Sequence, residues 1–313
     1  MTRTEPDSMI EVRGLTKRYG TTAAVDGLTF TVAPGRVTGF LGPNGAGKTT
    51  TMRCILGLDR PTAGSATIGG KKPRELAQPM REVGALLDPK AVHGGRTAYH
   101  HLLCLARAGG VPVRRVDEVL ELTGLGSVAR KRPKGFSLGM SQRLGIASAL
   151  LGDPKAVLFD EPANGLDPEG ILWIRGLMKN LAADGRTVLV SSHLMSEMEN
   201  TADHLIVIGR GRVLADSTMN AFITRAGGGG VRVLTPDPDG LMQAVITAGA
   251  AYTADRDGRL TVTGLDPAQI SDLAAVNGIR LYEVTAQRAS LEEAFLRLTR
   301  DSVEYRSNGK DRA

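Results

Sequence analysis

At 313 residues the chain can hold one α/β domain of roughly 200 residues and a smaller module beside it. Its 42% hydrophobic and 23% charged residues exclude a disordered chain. The two cysteines, Cys54 and Cys104, exclude a disulfide scaffold and fit free thiols in a reducing cytosol. No run approaches the ~18 apolar residues of a bilayer span, and the polar start MTRTEPDSM is not read as a signal peptide. The net charge of +6 permits nucleic acid or anionic lipid as a partner, but it also fits a solvated surface around a polyphosphate ligand.

In chain order, Ile10–Val12 and Val25–Val32 read as strands, with turn residues Tyr19–Thr21 between them. Val37–Leu41 is a short apolar run before glycine-rich sequence and a helix starting near Lys48, a strand–loop–helix unit. Helical spacing marks Ala98–Ala108, Val116–Thr123, Met140–Leu151 and Ile171–Ala183. Ala156–Phe159 and Thr187–Ser191 are continuous apolar runs, as in strands buried on both faces of a parallel sheet. Leu205–Ile208 and Arg212–Ala215 read as a hairpin around Gly209–Gly211.

Gly227–Gly230 is the expected linker. Beyond it Val231–Leu234 reads as a strand and Asp239–Ala248 as a helix. Ala251–Ala254 and Leu260–Thr263 make a hairpin through Asp257–Gly258, followed by a helix at Pro267–Val276, a strand at Arg280–Val284 and a helix at Leu291–Thr299. The order βαββαβ is that of a split βαβ, ferredoxin-like module with one extra helix. Expected boundaries are 1–226, the linker 227–230, 231–301, and a polar tail 302–313.

Three segments carry chemistry. Gly42–Thr50 reads GPNGAGKTT, that is Gly42, Pro43, Asn44, Gly45, Ala46, Gly47, Lys48, Thr49 and Thr50, and satisfies the phosphate-loop spacing. Its glycines let backbone N–H groups wrap phosphates while the next helix aims its positive end at them. Lys48 reaches the β- and γ-phosphates, and Thr49 offers a hydroxyl to Mg²⁺. In AVLFDEP, Asp160 ends an apolar strand beside the metal position, and Glu161 is placed to orient or deprotonate the attacking water. In TVLVSSH, His193 at the strand tip is a candidate contact to the γ-phosphate or the water. His93, His100 and His101 carry no metal-ligand pattern and read as surface or packing histidines. Arg130–Lys134 is a basic run that reads as a solvated loop, with a partner-protein or lipid-headgroup contact as its functional version.

The order of these motifs, with Phe136–Arg143 (FSLGMSQR) between the first and second, resembles the nucleotide-binding subunit of ABC transporters over residues 10–215. The resemblance implies an α/β fold: a P-loop NTPase ABC nucleotide-binding domain with a parallel-sheet core, an antiparallel N-terminal β subdomain and a helical signature subdomain, followed by the small ferredoxin-like α+β domain. By that likeness Tyr19 stacks on adenine and ATP and Mg²⁺ are the cofactors. Ser137, Leu138, Gly139 and Met140 form the signature that meets the partner chain's ATP, and Asp167 belongs to the D-loop Gly165–Asp167, which crosses the dimer interface. The chain departs from the family pattern at Leu138 for glycine, Met140 for Gln, Ala163 for Thr, and Asp88 for Gln at the Q-loop; Ser137, Gly139, Gln142 and Arg143 are kept. An anionic Asp88 cannot donate as an amide does, so a role toward Mg²⁺ or water stands open.

The stretches VGALLD…TAYHHL and ASLEEAFLRLT (Ala289–Thr299) resemble ATPase subunits of drug-resistance exporters of the daunorubicin type, especially actinobacterial members. Leu291, Phe295 and Leu298 give the last helix one apolar face for packing, with a regulatory or permease contact as the alternative. The resemblance implies a dimer of this chain on a separate membrane permease, at the cytoplasmic face of the membrane, exporting a drug, antibiotic or amphiphile. The alternatives are an importer subunit and a soluble ATPase acting on nucleic acid; no nucleic acid is expected, because one phosphate loop and no coiled-coil insertion speak against the second.

Overall fold

Apolar side chains at alternating positions turn the first residues into strands. The computed structural model describes residues 9–225, 230–255, 259–287 and 290–299, so the Asp257–Gly258 turn, most of the glycine run and the tail 302–313 lie outside the described residues. Strands β1 (Ile10–Tyr19) and β2 (Thr22–Val32) pair antiparallel, with Ile10 opposite Val32 and Val12 opposite Phe30. The expected Ile10–Val12 strand continues to Tyr19 because register shifts after Val12 absorb Gly14, whose φ is +58°. Strand β3 (Arg36–Leu41) leads through the phosphate loop into α1 (Lys48–Ile55), and β4 (Ala63–Ile68) then pairs with the free side of β1.

Helix α2 (Pro79–Glu82) precedes β5 (Val83–Leu86), and α3 (Ala98–Ala108), α4 (Arg114–Leu122) and α5 (Leu138–Leu150) follow. Strand β6 (Ala156–Asp160), α6 (Pro168–Ala183), β7 (Thr187–Ser191), α7 (Met195–Glu199) and the hairpin β8 (His204–Gly209)–β9 (Arg212–Thr218) complete this part. The main sheet has the order β5-β6-β7-β3-β8-β9. All its pairs are parallel except β8 with β9. Every residue of β6, β7 and β8 is buried, as continuous apolar runs require. Phe40, Leu158, Leu189 and Ile206 share one core with Ile10, Leu28 and Phe30 of the antiparallel sheet. Each such fully buried side chain contributes about 1.5–3 kcal/mol.

The chain divides between Met219 and Asn220 into two compact units, just after the start of helix α8 (Met219–Arg225). The second unit holds β10 (Val231–Leu234), α9 (Pro238–Thr247), β11 (Ala251–Ala254), β12 (Leu260–Thr263), α10 (Pro267–Val276), β13 (Glu283–Ala286) and α11 (Leu291–Thr299). Its antiparallel sheet runs β11-β12-β10-β13, the strand order of a ferredoxin-like βαββαβ. Strand β13 starts later than the expected Arg280. Ile279 is instead drawn into the exit of α10 by a hydrogen bond from its N–H to Ala274 O at 2.8 Å. On α11 the buried face is Leu291, Ala294 and Phe295, while the expected Leu298 is 38% exposed at its rim.

Candidate nucleotide site

Three strands of the main sheet end level with one another. Phe40 of β3 and Asp160 of β6 are both in register with Ser191 of β7, and open α/β sheets bind ligands at such carboxyl ends. The phosphate loop leaves β3 here. Gly47, the residue before α1, has φ +102°, and a Cβ there would fall 2.4 Å from Ala24 O, so the backbone path admits only glycine. The loop and strand ends enclose an open cleft of about 440 Å³ lined by Ala24, Asn44–Thr50, Asp160 and Glu161.

Lys48 is 9% exposed, and its ammonium donates to Gly42 O at 2.6 Å and Pro43 O at 3.3 Å. Burial pushes its pKa below the usual lysine value, and the negative charges of Glu161 and Asp160 oppose that shift. Thr49 Oγ1 donates to Asp160 Oδ2 at 2.5 Å, and the Ser191 hydroxyl donates to Asp160 Oδ1. Two hard oxygen donors, Thr49 and Asp160, therefore stand together at the mouth of the loop. No group of three or more His, Cys, Asp or Glu able to hold a metal exists among the described residues.

Glu161 has φ +52°, a left-handed conformation that costs a non-glycine residue about 1–2 kcal/mol. Its N–H donates to Ser191 Oγ at 3.0 Å. Its carboxylate takes two hydrogen bonds on a single oxygen: His193 Nδ1 lies 2.6 Å and His193 N 3.3 Å from Oε2. A carboxylate only accepts, so Nδ1 carries the proton. The other carboxylate oxygen takes no hydrogen bond from the described residues.

Tyr19 is half exposed at the β1–β2 turn. Its hydroxyl donates to Asp59 Oδ2 at 2.8 Å, and Arg53 of α1 holds both oxygens of Asp59, at 2.9 and 3.1 Å. Lys17 Nζ stands 4.9 Å from the centre of the Tyr19 ring. The Arg53 bonds, then the Tyr19 bond, hold the Asp59 carboxyl at about 2, below the usual carboxylate range. Asp59 and Arg53 escaped the sequence reading, because a six-residue local ion pair leaves no motif. Ser191 was in view within TVLVSSH, but its bond to Asp160 needs the register of two strands.

The signature residues lie elsewhere. Ser137 caps α5, its Oγ accepting Met140 N–H at 3.2 Å, and Leu138 is 50% exposed. None of Ser137–Met140 lines the Lys48 cleft. Asp167 caps α6 by accepting Gly170 N–H at 2.9 Å. Asp88, exposed just past β5, accepts Lys90 N–H at 2.8 Å in a local turn and is not among the cleft residues. His101 is 7% exposed and His100 bonds Thr97 Oγ1 at 2.8 Å, so the two adjacent histidines face apart.

Residues 25–164 match the ABC transporter family, and residues 229–292 match a domain of unknown function (DUF8746). The chain is 36% identical over 304 residues to the bacitracin transport ATP-binding protein BcrA of Bacillus licheniformis, covering 93% of this chain and 97% of that one. It is 36% identical over 306 residues to the daunorubicin resistance ATP-binding protein DrrA3 of Streptomyces coeruleorubidus, covering 94% and 97%. Among solved structures it resembles the dimeric post-hydrolysis ATP-binding cassette MJ0796 bound to ADP and Pi, with a TM-score of 0.61 and 25% identity over 67% of this chain and 98% of that one. The likeness runs over 97% of the length of both relatives, and with the phosphate loop and the Asp160–Glu161 strand end it identifies the chain as a member of the ABC transporter ATP-binding proteins, an ATP-binding and ATP-hydrolysing subunit.

Proposed function

We propose that two copies of this chain close on two ATP molecules and drive export of an antibiotic-like amphiphile through a separate membrane permease. The observation that carries the reading is the separation of two half-sites: the Lys48 cleft is lined without Ser137–Met140, while the signature turn stands exposed at the start of α5. A second copy supplies what each cleft lacks. The bacitracin and daunorubicin relatives support the substrate class, and the dimeric cassette supports the assembly. No helix of the described residues is long and apolar enough to cross a membrane; in this reading the substrate path lies in the separate permease, and this chain sits against it at the cytoplasmic face of the membrane.

In each cleft Lys48 and the loop N–H groups bind the β- and γ-phosphates, with Tyr19 against the adenine. The Thr49 hydroxyl and the Asp160 carboxylate fit Mg²⁺, which takes one or two protein oxygens and completes its shell with phosphates and water. Bound there, the ion would neutralise phosphate charge. Glu161 accepts the proton of the attacking water on its free oxygen, while His193 fixes the other. The partner's signature, Ser137 and Gly139, closes over the γ-phosphate, and the D-loop with Asp167 runs along the interface. The unit ending at Met219 is the motor, and Asn220–Arg300 is an accessory domain, a boundary that falls before the expected glycine run rather than at it.

Complementation tests the shared site. Ser137→Arg and Lys48→Ala chains should each be inactive alone. Mixed, they should form dimers with one intact composite site and recover ATP hydrolysis. Mixed dimers that are demonstrably formed yet no more active than either parent would overturn the reading.

A further inference from the structure

Helix α5 begins with the exposed signature turn, yet its inner face runs past the chain's own catalytic carboxylate. Gly139 packs so closely on the D-loop that a Cβ there would lie 3.1 Å from Gly165 O. One turn on, Gln142 is 1% exposed, and its Nε2 donates to the backbone carbonyl of Glu161 at 3.0 Å. A further turn on, a Cβ at Gly145 would lie 2.5 Å from Leu86 Cδ1 at the end of β5. The spacing 139, 142, 145 puts all three contacts on one helix face.

The Gln142 contact has the marks of function rather than packing. A carbonyl only accepts, so the amide nitrogen must face it, and Gln142 Oε1 is left buried with no hydrogen-bond partner among the described residues. An apolar side chain of the same size would fill this place without an orphaned acceptor of its own, and the Asn164 N–H would still serve the Glu161 carbonyl at 3.2 Å. The carbonyl it holds belongs to a residue at φ +52°, a conformation that persists only where neighbours fix it. Ser191 Oγ holds the N–H side of Glu161, His193 holds the carboxylate, and Gln142 holds the carbonyl together with the Asn164 N–H, which donates to it at 3.2 Å.

We propose that Gln142 is a positioning residue that locks the backbone of Glu161 and thereby ties the signature turn of a chain to the water-activating carboxylate of the same chain. The inference rests on the two-chain reading above. A signature turn that engages the partner's ATP moves α5, and Gln142 carries that movement to Glu161. Each nucleotide would then set the geometry of the base in the other cleft.

The test uses the purified full chain with Gln142→Met, which keeps the volume, and Gln142→Asn, which keeps an amide but is too short to reach the carbonyl. ATP dissociation constant, ATP-driven dimerisation and kcat are measured for each. The expected result is ATP binding and dimerisation as in the wild type, with kcat lowered about tenfold or more in both variants. Gln142→Met adds no further loss in a Glu161→Gln background. Turnover within twofold of wild type in either folded variant would overturn the proposal. So would a parallel loss of dimerisation and turnover, which would make Gln142 a support of the helix alone. A wild-type rate in Glu161→Gln itself would instead remove Glu161 as the base, a failure of the underlying reading that this control separates from the first.

Discussion

The two units of this chain solve the same packing problem with opposite treatments of polar groups. The first unit buries Lys48, Gln142, Asp160, Ser191 and Ser192 among apolar strands, whereas Thr235 is the one buried polar residue of the second unit among the described residues. Burying a polar group is costly unless it is hydrogen-bonded. A cluster of such groups at the ends of three parallel strands therefore marks the place where chemistry outweighs packing. The second unit shows no such cluster. Its sheet and two helices enclose an ordinary core of Val231, Val233, Leu241, Leu260, Val262 and Ile270.

The hardest test of that contrast is Glu161→Gln. An amide keeps the shape and the approach to His193 but cannot take a proton from water, so turnover should fall about a hundredfold or more. ATP-bound dimers should accumulate. Steady-state hydrolysis and gel filtration with ATP read the two effects, and near-normal turnover would remove the strand-end cluster as the seat of catalysis.

A smaller effect separates the units energetically. Leu241 is fully buried in the second core, and Leu241→Ala should cost that unit about 2–5 kcal/mol. ATP turnover by the first unit should be unchanged. Calorimetry should show the loss in one transition only; a fall in turnover in step with unfolding of the second unit would join what the contrast separates.

Sequence periodicity was enough for the strands whose burial is uniform. Thr187–Ser191 and Leu260–Thr263 appear with the expected bounds. It failed where neighbours decide. Strand β4, AGSATI, carries too few apolar residues to announce itself and exists because β1 offers a free edge. Strand β5 has only four residues, VGAL, pinned between α5 and β6. In the site, the contiguous phosphate-loop and DE residues were legible because loop geometry fixes their spacing. The links that join distant segments, Ser191 to Asp160, Gln142 to Glu161 and Arg53 through Asp59 to Tyr19, were not, because they depend on register and helix packing.

The smallest expected effect lies at that last link, on the solvent edge of the first unit. Tyr19 lies with Lys17 4.9 Å from its ring centre and its hydroxyl tied to Asp59, which holds the ring in the place proposed above for stacking on adenine. Asp59 is half-buried, but its partners Arg53 and Tyr19 are about half exposed, so the tie is weak, and Asp59→Asn should raise the KM for ATP only a few-fold while leaving kcat alone. Inorganic tripolyphosphate, which has no base, should bind as before. The pKa of Asp59 is depressed to about 2, so its contribution is present above the ordinary carboxylate range and is lost as pH falls toward about 2. The KM effect should therefore be constant across neutral pH. The hydrogen bond to Asp59 also raises the Tyr19 phenol above its ordinary value of 10.0. Difference titration of wild type against Asp59→Asn should show one phenol ionising at lower pH in the variant. A KM change without that phenol shift would mean that Asp59 acts on ATP directly and not through the ring.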